Sequence, residues 1–325
     1  MNIDIGIDID VDIDDVDGDT GGIRMTGTAE LESLYSVMEE TAGLLDINPS
    51  RDAVWPILAA YAPFIPQAVI AFRVATRDTG DLDCRFTAFP RGFDPYAHAV
   101  SHSLTDKTDH PVGSLLADLE ERFPIPCHGA DFGLVGGFKK TWTFFPVENL
   151  QKLSDLAEVP SMPQSLGANR DFYARYGLDD KISMVGIDYP SRTINVYFLG
   201  APAACREEAT VRAMMRDIGL PEPSAAMLAH ARQAGGIYTT LSWDSPAIQR
   251  ITFAALLPDV RELPARFDVD PRVGRFALNA PHTYGPVGKG LYNVASYAGG
   301  EYFKLQTYYQ ISAGSVEAKG LLGRT

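Results

Sequence analysis

Residues 182–198 read Ile-Ser-Met-Val-Gly-Ile-Asp-Tyr-Pro-Ser-Arg-Thr-Ile-Asn-Val-Tyr-Phe. β-Branched and aromatic residues fill 182–189 and 193–199, and Pro190-Ser191 supplies turn chemistry between them, so the stretch predicts a β-hairpin. Residues two apart on a strand share a face. Ile194, Val196 and Phe198 therefore form one face, and Asn195 and Tyr197 form the other. Helical periodicity precedes this hairpin near 150–157 and 165–176, and follows it near 206–218 and 224–232.

The same order recurs in both directions. Towards the N-terminus a hairpin spans 125–133 and 139–146, turning at Gly136-Gly137, after helical stretches 95–103 and 112–123. Before that come strands 69–75 and 83–89, preceded by a helix from Ala29, which Thr28 is placed to cap, and a second helix over 52–61 that Pro56 starts or kinks. Towards the C-terminus, strands 236–243 and 248–256 surround Asp244-Ser245-Pro246. A helix over 266–279 then leads to strands 289–296 and 301–309, turning at Gly299-Gly300. The hairpins begin near residues 69, 125, 182, 236 and 289, a period of about 55, and fixed periods signal a repeated architecture.

Five helix–helix–strand–strand units supply ten strands. Hairpins make neighbours antiparallel, and helical crossovers join one hairpin to the next. A sheet of ten strands is best stabilised by closure, which removes its edges. The expected fold is α+β: a closed ten-stranded antiparallel barrel inside a ring of helices. The competing arrangement, an open sheet in two domains, needs a Pro/Gly/Ser-rich linker near the middle, and the sequence has none. Residues 28–325 are therefore expected to form a single domain.

The chain has 325 residues, 46% of them hydrophobic, enough for a large core. No apolar run approaches the ~20 residues of a membrane span, and the acidic start carries no secretory signal pattern. Cys84, Cys127 and Cys205 are few, odd in number and far apart, which fits a reducing cytoplasm better than a disulfide framework. The net charge of −14 disfavours nucleic acid and anionic membranes as partners. Eight Asp lie in residues 1–22, and the rest of the chain has 34 acidic residues against 28 basic ones. Residues 1–27 are expected to be a solvated, poorly ordered tail. A calcium loop there fails, because Ile13 and Arg24 occupy the first and last ligand positions.

If the aliphatic strand faces pack beneath the helices, the opposite faces point into the barrel. That lumen would carry Arg73, Asp83, Arg85, Lys140, Asn195, Tyr238, Arg250 and Lys304, with Trp142, Tyr197 and Tyr308; Gln306 shares the Lys304 face. Ten strands leave room for a ligand cavity. Several cations with few anions suit a phosphate or diphosphate. The aromatic rings suit a flat or apolar partner and can shield a carbocation.

Other motifs fail on inspection. Gly133–Thr141 resembles a phosphate-binding P-loop, but Lys139 stands where that motif needs Gly. His98 and His102 lack the Glu of a zincin helix and read as surface histidines. Neither a nucleophile elbow, a dinucleotide fingerprint nor an Asp-rich DDxxD cluster occurs.

Gly136-Gly137-Phe138-Lys139-Lys140-Thr141 followed by Phe144-Phe145-Pro146 is similar to sequences of the soluble aromatic prenyltransferases of bacterial secondary metabolism. So are Pro160–Pro163, Phe172–Leu178, Asp188-Tyr189, Asn195–Phe198, Leu241–Asp244, Arg250 and Glu301–Leu305. The match spans about 29–315 and resembles most the naphthalene, phenazine and hydroxyphenylpyruvate branch. That family folds as five αββα units in a ten-stranded barrel, with its active site in the lumen.

The resemblance implies a Friedel–Crafts alkylation, in which an allylic diphosphate ionises and an electron-rich aromatic carbon attacks the cation. It places Lys140, Tyr238, Arg250 and Lys304 as the catalytic, diphosphate-binding set, with Asn195 beside them and Arg73 and Arg85 as added fixed charges. Asp83, Asp131, Trp142, Ser183, Tyr197, Gly236 and Tyr308 are implied to line the prenyl and acceptor space, and Gly235 and Gly236 replace larger side chains. Asp83 and Asp131 match acidic positions of a magnesium-dependent member. Arg73 and Arg85 stand where that member has small serines, and are expected to pair with Asp83, so no cofactor or metal is expected to be required. The implied donor is dimethylallyl diphosphate, with geranyl diphosphate as the runner-up. The implied acceptor is a phenazine or dihydroxynaphthalene, and the implied state is a monomer. A non-catalytic carrier of an aromatic metabolite is the alternative, which the cationic lumen argues against. A phosphatase is a third class, for which the sequence offers neither metal cluster nor nucleophile.

Overall fold

A computed structural model of the chain describes residues 27–77 and 79–311. The acidic segment expected as a tail lies outside them, apart from Gly27. Two helices, α1 (Thr28–Gly43) and α2 (Arg51–Tyr61), lead into strands β1 (Val69–Ala75) and β2 (Asp83–Pro90). The pattern continues through α3 (Pro95–Ser101), α4 (Leu115–Arg122), β3 (Cys127–Gly133) and β4 (Gly137–Phe144). The third unit comprises α5 (Leu153–Ala157), α6 (Gln164–Ala168), α7 (Arg170–Arg175), β5 (Ile182–Asp188) and β6 (Thr193–Phe198). The fourth comprises α8 (Glu208–Asp217), α9 (Ala225–Ala231), β7 (Gly236–Ser242) and β8 (Arg250–Leu257), and the fifth α10 (Leu263–Arg266), α11 (Pro271–Asn279), β9 (Gly290–Tyr297) and β10 (Gly300–Gln310).

Every strand pairs antiparallel with its neighbours in sequence, and β1 pairs with β10 to close the ring. The expected barrel is the observed one. Outward-facing Phe72, Phe86, Phe132, Ile187, Val196, Ile251, Phe253 and Val294 are fully buried against the helical layer, where Met38, Leu58, Leu119, Met214 and Phe276 meet them. Burial of each such side chain is worth ~1.5–3 kcal/mol, so the main core lies between sheet and helices and leaves the lumen free for other residues.

Three local expectations need correction. Thr28 is the first residue of α1 rather than its cap; extended Gly27 occupies the cap and its carbonyl accepts from the Glu30 amide. The helix α2 starts at Arg51 rather than at Pro56, which lies inside it on a face where Asp52 and Pro56 are exposed and water can serve the freed carbonyl. The single helix expected over 266–279 is two, α10 and α11, because Pro271 starts a new helix that Asp270 caps through the Arg272 amide.

Candidate active site

Strand alternation delivers the expected lumen, and bulges refine it. On β4 the register slips between Phe138 and Lys140, so Lys139 is an extra residue and both lysines face inward. A similar slip on β5 sets Ser183 beside Met184 on the cavity wall. Gly186 on β5 stands opposite Trp142, and a Cβ there would lie 2.6 Å from the indole ring, so glycine is what allows the ring to lie flat across the strand pair.

The lumen holds more carboxylate than expected. Arg73 on β1 donates to Asp83 on β2 at 2.7 Å and lies 3.1 Å from Asp131 on β3. Arg85 reaches Asp131 at 2.7 Å rather than Asp83, and its guanidinium stacks 3.9 Å from the Trp142 ring centre. The indole N–H of Trp142 also donates to Asp131, at 2.6 Å. Lys139 bridges Asp81 and Asp83 at 2.8 and 2.6 Å. The result is a chain of alternating sign, Arg85–Asp131–Arg73–Asp83–Lys139–Asp81. Burial alone would raise the Asp83 carboxyl, but Arg73 and Lys139 overcome it and hold it well below the usual carboxylate range. Asp131 is likewise held down, by Arg85 and Arg73 against burial. Lys140 pairs with Asp188 at 2.7 Å.

Two cations differ. Arg250 on β8 donates to the Tyr302 hydroxyl at 2.6 Å and to Asn195 Oδ1 at 3.1 Å, and its Nε is buried without a partner. Lys304 on β10 donates to the Tyr238 hydroxyl at 2.6 Å. Neither takes a carboxylate partner among the described residues. Burial, then the cations Arg250, Arg73 and Lys140, push the Lys304 ammonium well below the ordinary lysine range. The site is therefore short of negative charge where these two groups point, as a polyanion site should be.

Two adjoining cavities occupy the lumen. A polar one of about 820 Å³ is lined by Arg73, Asp83, Lys140, Trp142, Asn195, Tyr197, Arg250, Tyr302 and Lys304. A narrower one of about 150 Å³ shares Arg73, Tyr197 and Lys304 with it and adds Phe144, Met184, Leu256 and Tyr308. Arg85, Ser183, Gly235, Gly236 and Tyr238 also face this second cavity, so Arg85 is not gathered with Lys140 and Arg250. Tyr238 still reaches the polar side through Lys304, and its ring stacks on Tyr197 at 4.3 Å. Asp131 lines neither cavity; it is buried beneath Arg85 and Trp142. His98, read as a surface residue, is half-buried with its Nε2 on the Ala60 carbonyl.

The sequence reading gave no site role to Asp81, Lys139, Asp188, Tyr302 or Asn293. Strict alternation hides Lys139, because its neighbour Lys140 already faces inward. Tyr302 and Asn293 carried a usable signal: Tyr302 lies two residues before Lys304, and Asn293 pairs with Lys304 across β9 and β10.

An enclosed barrel with an anion-seeking pole against an aromatic pole defines a class of enzyme that holds a charged leaving group beside a flat apolar partner. Residues 29–318 match the family described as aromatic prenyltransferase Orf2. A 5,10-dihydrophenazine-1-carboxylate 9-dimethylallyltransferase of Streptomyces anulatus is 48% identical, over 88% of this chain and 95% of that protein. A flaviolin linalyltransferase of Streptomyces virginiae is 47% identical, over 88% of this chain and 94% of its own length. A furaquinocin biosynthesis prenyltransferase of Streptomyces sp. (strain KO-3988) is 47% identical, over 86% of this chain and 91% of its own. The chain belongs to the aromatic prenyltransferase Orf2 family and is a transferase of that kind. Among the described residues no helix is long and apolar enough to cross a membrane.

Proposed function

We propose that this enzyme transfers a dimethylallyl group, or in second place a geranyl group, from its diphosphate to a fused aromatic acceptor of the phenazine or dihydroxynaphthalene type. The observation that carries the reading is the pair Arg250 and Lys304, which take no carboxylate partner among the described residues; both line the polar cavity, and Lys304 also lines its apolar extension. As the allylic C–O bond breaks, its electron pair leaves with the diphosphate. Arg250, Lys304 and Lys140 stabilise that growing charge, with Tyr302, Tyr238 and Asn195 orienting them. Arg73 adds a fixed positive field from behind, and Arg85 steadies Trp142. The rings of Trp142, Tyr197 and Tyr238 shield the allylic cation until an aromatic carbon attacks it. The ring then loses its proton to water or to the released diphosphate. The space beside Gly235 and Gly236 suits the acceptor, and Tyr308 and Ser183 border it. Relatives named for dimethylallyl transfer to a dihydrophenazine carboxylate and for linalyl transfer to flaviolin support both halves of this reading.

Metal independence is part of the proposal. The carboxylates of Asp83 and Asp131 are already taken up by Arg73, Arg85, Lys139 and Trp142, so a divalent ion would have to displace at least one buried ion pair. Cys84, Cys127 and Cys205 are buried and far apart in sequence, which fits action in a reducing cytoplasm, and we take the working unit to be a monomer.

The test is incubation with dimethylallyl or geranyl diphosphate and a panel of dihydroxynaphthalenes and dihydrophenazines, in EDTA, with product masses read out. A gain of one prenyl unit is expected. Product only after magnesium is restored would overturn metal independence and keep the class. Tight acceptor binding with no product under either condition would favour the carrier.

A further inference from the structure

We propose that Gln306 is a specificity-determining residue that donates a hydrogen bond to an oxygen on one edge of the aromatic acceptor. The inference rests on the transferase reading above, and it names which acceptors the same site prefers. Gln306 lies on β10 between Lys304 and Tyr308, with its side chain on the wall of the narrower cavity. It is 4% exposed, and its Nε2 has no hydrogen-bond partner. A buried amide donor left unpaired costs free energy, and a ligand that accepts from it recovers that cost.

The surroundings specify the ligand group. Across the strand pair Gln306 faces Arg73, and Arg85 and Asn293 lie on the same wall. The two guanidiniums are already engaged by Asp83 and Asp131. Asn293 spends its Nδ2 on a long 3.4 Å contact with the Leu291 carbonyl. Gln306 Nε2 is thus a buried donor without a partner on a wall rich in positive charge, beside Lys304. Phe144, Met184, Ala254 and Leu256 give this cavity an apolar side. A flat ring system fits with its apolar body against these side chains and a phenolate, carboxylate or quinone oxygen against Gln306. An acceptor with a methyl at that edge leaves the amide unpaired and is disfavoured.

Binding is tested apart from turnover with 1-naphthoate and 1-methylnaphthalene, which share a ring system and differ at one edge. Wild type is expected to bind 1-naphthoate more tightly. Gln306→Leu removes the donor, and Gln306→Glu replaces it with a carboxylate oxygen of similar shape. Both are expected to weaken 1-naphthoate about 10-fold or more. In Gln306→Leu, affinity for 1-methylnaphthalene should be unchanged or tighter, pyrophosphate affinity should match wild type, and the melting temperature should not fall below it. Equal losses for both probes, or retention of wild-type preference in either variant, would overturn the role. If one variant fails to fold, the other decides. A wild type that makes no prenylated product yet shows the probe pattern sinks the transferase reading and leaves Gln306 standing. A wild type that prenylates its acceptors while the variants keep their preference does the reverse.

Discussion

Lys304 is a lysine whose nearest hydrogen-bond partner is a phenol and whose surroundings include Arg250, Arg73 and Lys140, opposed by Asp83. Its depressed pKa means that the empty site holds it less protonated than a free lysine, and a bound polyanion draws the proton back. Calorimetry of inorganic pyrophosphate binding in buffers of different ionisation enthalpy is expected to show extra proton uptake in wild type that Lys304→Met lacks. Equal uptake in both would refute the coupling. Affinity for the diphosphate should fall as pH rises past the lowered lysine pKa of the free site and level off above that of the complex, because the deprotonated amine no longer attracts it. Arg250→Ala should abolish most turnover, with a loss of about 10²-fold or more, while acceptor binding survives. At Gly186, a methyl group collides with the Trp142 ring, so Gly186→Ala is expected to lower stability by about 1–3 kcal/mol in a urea titration and to disturb the Asp131 bond that orients the indole.

Elements were legible where the period was clean. The strand bounds 69–75 hold as expected, because alternation and turn residues agree. Helix ends were harder to place, since Thr28 and Pro56 are local signals that neighbouring contacts overrode. Bulges were invisible: one extra residue on β4 turns Lys139 inward, and nothing in its type announces that. The lumen's cations followed from alternation, and so did Asp83 as the partner of Arg73, but Asp81 and Asp188 did not. Asp81 lies in the loop before β2, and Asp188 ends β5, where facing is not set by strand period. A different element adds an acid sensitivity of its own. His230 on α9 is buried against Phe267 and Tyr292, with Nε2 near the Phe253 carbonyl. Burial lowers its pKa to about 4. The folded state therefore binds this proton less readily than the unfolded chain, and stability present above about pH 6.5 is lost as pH falls towards 4. The loss is roughly 3 kcal/mol at most. His230→Phe should flatten that slope in melts taken between pH 7 and 4, and an unchanged slope would exclude His230 as its source.

The whole molecule sets its polarity against its substrate. Net charge is −14, and eight Asp lie in the first 22 residues, yet the lumen attracts an anion. Long-range repulsion should slow donor capture at low ionic strength, and salt should relieve it within a Debye length of ~8 Å at 0.15 M. A chain begun at Gly27 is expected to show a higher kcat/KM for the donor at 10 mM salt, with the two forms converging at high salt. A difference that persists at high salt would point to a direct contact instead. The five-unit period made this level of organisation the most readable in the sequence, since closure follows from ten strands that each need two partners.

The alternating chain from Arg85 to Asp81 also constrains the protein's ancestry. Each interior member neutralises charges on both sides, so replacing one strands an opposite charge in a buried place at a cost of ~3–5 kcal/mol. A lineage that keeps the two carboxylates can therefore shed Arg73 and Arg85 only if another cation takes over their charge. The two arginines should be gained and lost together, in the same step of descent in which a metal ceases or begins to neutralise Asp83 and Asp131.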